Sequence, residues 1–293
     1  MKLGAHVSTA GGIDTAIDRA AAIGAECMQI FRGAPIAWKR KTYSHQEVEA
    51  YQRKVRSTGI EPAFIHAPYL VNLATDAQDI LARSFDALIA DMQAAHLLGA
   101  LGVVVHLGSH APADWDERFS QVIACCSRIL AATPDDTWLI VENRAAAGQI
   151  GSTLADLGLL VRAVANKRLR ICLDTQHAWA AGYDVKTSKG IFVTLEEFAQ
   201  TIGLERLVLV HANDSACPLG GGRDRHENIG QGSIGLDGFE NLMSHPELEA
   251  IPFVLEVPGF DDDGSDARNL ELLKAIRAGL PGAEPAVRPG AES

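Results

Sequence analysis

Hydrophobic residues recur along the chain in short blocks, at positions 3–7, 27–31, 63–66, 102–106, 138–142, 169–174, 207–211 and 252–257. Each block has about the length of a strand buried on both faces of a parallel sheet. Between the blocks, apolar positions fall three and four residues apart, the spacing of an amphipathic helix, over 13–23, 46–55, 80–98, 118–130, 154–164, 195–202, 236–243 and 267–276. Gly59, Gly99 and Gly279 stand where three of these helices should stop, and Thr194 with Glu197 has the spacing of a capping box ahead of another. Strict alternation of strand and helix demands parallel pairing through right-handed crossovers, and eight such units are enough to close the sheet on itself. The pattern therefore predicts an α/β fold, a single-domain (β/α)8 TIM barrel over residues 1–280, with an open doubly wound sheet as the alternative. The Pro-, Gly- and Ala-rich segment 281–293 is expected to be a disordered tail.

A chain of 293 residues, 47% of them hydrophobic, has material for one large core. Nothing near its start has the basic, apolar and small-residue order of a signal peptide, and no apolar run approaches the roughly 18 residues needed to span a membrane. A soluble, cytoplasmic, monomeric protein is expected, with no protein partner inferred. The five cysteines form an odd set without zinc-finger spacing, so reduced thiols are expected, with Cys27 and Cys172 acting as small hydrophobes inside strands. A net charge of −11 excludes attachment to nucleic acid through a broad basic surface. It does not exclude a nucleic-acid substrate, because a metal cluster would put compensating positive charge in one place.

Candidate chemistry collects at the strand ends. Six of the eight blocks carry, at or next to their carboxyl end, a residue type that ligates metals: His66, His106, Glu142, Asp174, His211 and Glu256. In a barrel all carboxyl-terminal strand ends meet on one face, so residues far apart in sequence would converge there. The segments after the sixth and seventh blocks, read as loops, add His177, Asp224 and His226. Five histidines, two aspartates and two glutamates are too many for one tetrahedral zinc and suit two or three ions sharing a carboxylate. Imidazole and carboxylate without thiolate fit Zn²⁺ or Mn²⁺.

Several stretches resemble the endonuclease IV family of zinc-dependent apurinic/apyrimidinic endonucleases. The most specific is Cys172-Leu-Asp-Thr-Gln-His-Ala-Trp-Ala-Ala-Gly-Tyr-Asp184, supported by Gly4-Ala-His-Val-Ser8, His66-Ala-Pro-Tyr-Leu-Val-Asn-Leu73, His106-Leu-Gly-Ser-His110, His211-Ala-Asn-Asp214, Asp224-Arg-His226 and Gly230-Gln-Gly-Ser-Ile-Gly235. The resemblance implies one zinc on His66, His106 and Glu142, with Glu142 bridging to a second ion on Asp174, His211 and Glu256. A third would sit on His177, Asp224 and His226, with Mn²⁺ an option at one position. It further implies a DNA-repair hydrolase of damaged double-stranded DNA that cuts 5′ to an abasic site and leaves a 3′-hydroxyl, with Glu142 as the catalytic carboxylate.

Two segments depart from the family. Where its members commonly read Asn-Pro-Arg-x-Trp, this chain reads Ala34-Pro-Ile-Ala-Trp38, leaving Ile36 as an apolar wedge beside Trp38, with Tyr69 to stack in an abasic gap. After Glu142 the loop is two residues longer and carries Arg144, either a phosphate contact or a surface arginine. Two other functions fit a metal-binding barrel. A divalent-metal sugar isomerase or epimerase would need one or two ions and leave His177, Asp224 and His226 unexplained. A non-catalytic metal-dependent nucleic-acid-binding protein would be expected to have lost His66, His106 or Glu142.

Overall fold

A computed structural model describes residues 1–109, 115–146, 148–261 and 264–279. Seven strands run β1 (Leu3–Val7), β2 (Cys27–Phe31), β3 (Ala63–His66), β4 (Gly102–Val105), β5 (Trp138–Glu142), β6 (Leu169–Asp174) and β7 (Leu207–His211). A short antiparallel hairpin, β8 (Asp214–Ser215) with β9 (His226–Glu227), then precedes β10 (Phe253–Leu255). The seven strands and β10 close into a barrel in which every neighbouring pair is parallel and β10 returns to β1. Closure removes the open edges that the doubly wound alternative would have kept. The helices are α1 (Thr15–Ala22), α2 (His45–Thr58), α3 (Gln78–Leu98), α4 (Trp115–Ala131), α5 (Leu154–Val164), α6 (Thr175–Ala181), α7 (Ser188–Thr201), α8 (Gly235–Met243) and α9 (Ala267–Arg277).

Two layers of apolar packing follow from the alternation of side chains along each strand. One face of every strand packs outward on the helices. The other fills the barrel with Cys27, Phe64, Val104, Ile140, Cys172, Leu209 and Val254, all fully buried and each from a different strand. Burying side chains of this size contributes about 1.5–3 kcal/mol each for the larger ones. β1 presents Gly4 beside Cys27, and a Cβ there would collide with the Cys27 carbonyl, so β1 and β2 approach closely only because the residue is glycine.

Helix ends show where local pattern was read well and where it was not. Gly59 and Gly99 close α2 and α3 in the left-handed conformation, and Gly279, just past α9, also has φ +69°. The Thr194–Glu197 spacing misled: Thr194 is buried in the middle of α7, which starts earlier, at Ser188, with the Thr187 side chain accepting from the Gly190 N–H. The real capping box is Ser44 with Glu47 at the start of α2. No helix among the described residues is long and apolar enough to cross a membrane. The segment 281–293 and His110 lie outside the described residues.

Candidate metal centre

Side chains two residues apart on a strand point the same way. Phe64 in the barrel interior is followed two positions on by His66, Val104 by His106, Ile140 by Glu142, Cys172 by Asp174, Leu209 by His211 and Val254 by Glu256. The apolar interior thus ends in a polar layer at the barrel mouth. His177 reaches that layer from α6, a helix where a loop was expected. Its first turn is capped by the Asp174 carboxylate, which accepts the His177 N–H at 2.8 Å. Asp224 and His226 arrive on the β8–β9 hairpin. Its base is organised by Asp214, whose buried carboxylate accepts N–H groups from Ser215, Gly230, Gly232, Ile234 and Gly235.

Three groups of ligating atoms, each mutually within 4.8 Å, fill the mouth: His66, His106 and Glu142; Glu142, Asp174, His211 and Glu256; and Asp174, His177 and His226. Glu142 belongs to two groups, its Oε2 lying 3.2 Å from His66 Nε2 and 3.5 Å from His106 Nε2 while Oε1 lies 3.2 Å from His211 Nδ1. Asp174 also belongs to two, a junction the expected grouping did not contain. Half-exposed Asp224 closes the third group from outside, 3.2 Å from His177 Nε2 and 3.5 Å from His226 Nε2.

Metal binding by imidazole requires a bare nitrogen toward the ion and a protonated one held elsewhere. His66 Nδ1 lies 2.6 Å from the Ala67 carbonyl, His177 Nδ1 3.0 Å from that of Asn143, His226 Nδ1 3.1 Å from that of Glu256, and His211 Nε2 3.0 Å from the Gln29 side-chain oxygen. These carbonyl oxygens only accept, so each imidazole donates outward and turns its other nitrogen inward. On the inward side His177 Nε2, His211 Nδ1, His226 Nε2 and Glu142 Oε1 are buried without a hydrogen-bond partner. His106 departs from the scheme, since its Nδ1 finds no partner among the described residues. The donor set fits divalent cations.

Electrostatics reach the same conclusion. Burial works against ionised Glu142, yet the surrounding His106, His211 and His177 outweigh it and hold the carboxyl well below its ordinary range. Glu256 is likewise depressed, burial being overcome by His211 and His6. In the other direction, burial strips protons from imidazole, but nearby carboxylates hold His177 well above the ordinary value, and Cys172 together with Glu256 and Glu142 does the same for His211. His106 falls well below it through burial, assisted by the charge on Arg144. Four carboxylates gathered in one mouth need compensating positive charge, whether from imidazolium or from bound metal.

Four residues overlooked in the sequence complete the mouth. Gln29 accepts from His211 and donates to Glu256 Oε1 at 2.5 Å, and His6 Nδ1 stands 3.0 Å from that same oxygen. Asn143 pins β5 to β6, accepting the Asp174 N–H at 2.6 Å and donating to the Asp174 carbonyl at 3.1 Å. Asn213 spans from Asp174 Oδ2, to which it donates at 2.6 Å, to the Glu256 N–H, which it accepts at 2.8 Å. Gln29 and His6 had a signal, since each stands two residues past Cys27 or Gly4 on an inward-facing register.

A cavity of ≈ 850 Å³ opens over the centre, lined by His106, His177, Asp224, His226 and Glu256 together with Tyr69, Arg144 and Gln149. The Tyr69 ring sits 5.6 Å from His66 and 6.5 Å from His106, 57% exposed. Its backbone N–H donates to the Pro35 carbonyl at 2.9 Å, fixing it beside the loop whose tip, Ile36, is 74% exposed. Trp38 is set apart, half-buried and packed on the core.

A family model described as a xylose isomerase-like TIM barrel matches residues 17–278. A protein of Methanoculleus marisnigri named "Probable endonuclease 4" is 38% identical over 277 residues, covering 94% of this chain and 98% of that one. Another of that name from Halothermothrix orenii is 36% identical over 276 residues, covering 94% and 99%. Among solved structures, endonuclease IV from Thermus thermophilus superposes with a TM-score of 0.85 at 35% identity, over 96% of this chain and all of that one. A D-tagatose 3-epimerase-like protein superposes at 0.74 with 20% identity, over 96% of this chain and 98% of that one, a likeness of fold alone.

Proposed function

The chain belongs to the endonuclease IV family, and from that premise we propose that it is a cytoplasmic, monomeric DNA-repair hydrolase that cuts the phosphodiester 5′ to an abasic site in duplex DNA, leaving a 3′-hydroxyl. The observation that carries the reading is the donor set, with outward imidazole nitrogens fixed by acceptors and inward atoms orphaned. Three Zn²⁺ ions, with Mn²⁺ an option at one, would be held by His66, His106 and Glu142; by Glu142, Asp174, His211 and Glu256; and by His177, Asp224 and His226 beside Asp174. When bound, such ions lower the pKa of a water and draw charge from a phosphate.

The protein's own part is positioning. Glu142, ionised and fully buried, joins two groups and would serve as the catalytic carboxylate beside the attacking water. The acceptors behind His66, His177, His211 and His226 keep each ring in one tautomer, so no reorganisation is needed as charge develops. Tyr69 lines the cavity over the centre and exposed Ile36 belongs to the loop tied to it through Pro35, so the two would offer ring and methyl surface to the gap left by a missing base.

One assay tests the reading: nicking of a duplex with a single abasic site against an intact duplex and an aryl phosphodiester, with and without chelator. Preference for the abasic duplex, abolished by chelation, is expected. No such preference sinks the repair assignment, and one ion per chain instead of about three would favour an isomerase-type barrel.

A further inference from the structure

Arg144 follows β5 directly and is held in an unusual way. Its backbone N–H donates to the Gly151 carbonyl at 3.0 Å, and its side-chain Nε donates to Gln149 Oε1 at 3.1 Å. The same Gln149 oxygen accepts the Ala146 N–H at 3.3 Å, and Gln149 is bridged to Ser109, beside the metal centre. The guanidinium is thus braced through one nitrogen, while Nη1 and Nη2 have neither hydrogen bond nor ion pair among the described residues. Arg144 lines the cavity shared by His106, His177 and Asp224. A planar two-nitrogen fork with neither amino group engaged among the described residues matches the paired oxygens of a phosphate.

We propose that Arg144, positioned by Gln149, grips a phosphate of the substrate strand next to the one that is cut, and so selects for a nucleic-acid backbone over a small phosphodiester. The inference rests on the repair reading above. In a chain of net charge −11, the cations that face the cavity carry the long-range attraction to a polyanion. Arg225 also lines the cavity but is exposed. Arg144 is ordered before the substrate arrives, so less conformational freedom is lost when it binds. A phosphate contact carries no base information, and the grip acts alike on every flanking sequence.

The test is steady-state nicking of the abasic duplex across a salt series, for wild type, Arg144→Gln, Arg144→Lys and Gln149→Ala. Arg144→Gln should raise KM roughly tenfold or more while kcat moves far less, and should flatten the slope of log(kcat/KM) against log salt by about one unit. Arg144→Lys should restore the slope and only part of KM, because it keeps the charge and loses the fork. Gln149→Ala should raise KM with the slope intact. An unchanged slope and KM in Arg144→Gln overturn the inference while leaving the repair activity standing, as does a loss confined to kcat. A wild-type enzyme that does not prefer the abasic duplex overturns the functional reading and this inference with it.

Discussion

Replacing Asn213 by alanine should loosen two strands of the metal centre at once. The fully buried amide donates to Asp174 Oδ2 at 2.6 Å and accepts the Glu256 N–H at 2.8 Å, joining β6 to the end of β10. A hydrogen bond to a charged group contributes about 1.5–3 kcal/mol, and leaving the Glu256 N–H buried without an acceptor costs about 1–3 kcal/mol. The sum, about 2.5–6 kcal/mol, corresponds to a fall in Tm of roughly 4–10 °C for a chain of this size. Losing a partner behind ligating carboxylates should also weaken ion retention by about 10–100-fold. Both are measurable: thermal unfolding of the metal-loaded protein, and residual ion content after titration with a competing chelator. Asn213→Asp should retain ions no better, since it places a second carboxylate against Asp174. Melting within about 2 °C of wild type, with ion retention unchanged, would refute the crossbar argument.

Three further outcomes are expected. Glu142→Gln should fold but lose more activity than the roughly 10–100-fold that removal of an outer partner costs, and wild-type nicking by that variant would remove the role given to Glu142. Gln29→Leu deprives His211 of its acceptor and Glu256 of a donor, so ion retention should fall by about 10–100-fold with little change in helix content; an unaltered chelator titration would show that the tautomer of His211 is set otherwise. Glu26, hydrogen-bonded to Arg277 at 2.6 and 2.8 Å, has its carboxyl held down at about 2 by that guanidinium. A depressed folded-state value means stability that is fully present above the unfolded value near 4.5 and lost as pH falls toward about 2. Because the pair is about one-third exposed, screening leaves about 1 kcal/mol. Urea unfolding of wild type and Glu26→Gln should therefore differ at pH 7 and converge near pH 2–3, and a constant difference across that range would contradict the assignment.

The barrel was legible because its signal is repeated: eight apolar blocks separated by helical spacing leave few ways to pair. What was not legible is local. Thr194 and Glu197 have capping-box spacing, yet tertiary packing buries Thr194 inside α7, so a side chain that suits a helix start serves in a helix middle. The turn carrying His177 reads as a loop because seven residues are too few to show helical periodicity, and its helix depends on the Asp174 cap. The β8–β9 hairpin has two residues per strand and owes its shape to the Asp214 carboxylate, a contact between segments that no pattern announces. The junction role of Asp174 is likewise a distance, not a residue type.

The polar layer at the mouth explains why ligand-type residues alone gave an incomplete inventory. Every barrel strand contributes one side chain two residues past its inward-facing position, and β1 and β2 follow the rule with His6 and Gln29. A carboxylate in place of Gln29 would face Glu256, whose Oε1 the amide instead approaches as a donor at 2.5 Å. The amide also offers His211 an oxygen that can only accept, which keeps the His211 proton on Nε2 and its lone pair toward Glu142 and Glu256. The negative charge of the mouth is then confined to Glu142, Asp174, Asp224 and Glu256. Three divalent ions over those four carboxylates would leave about two positive charges facing an incoming phosphate, whereas an additional carboxylate from β2 would have halved that attraction.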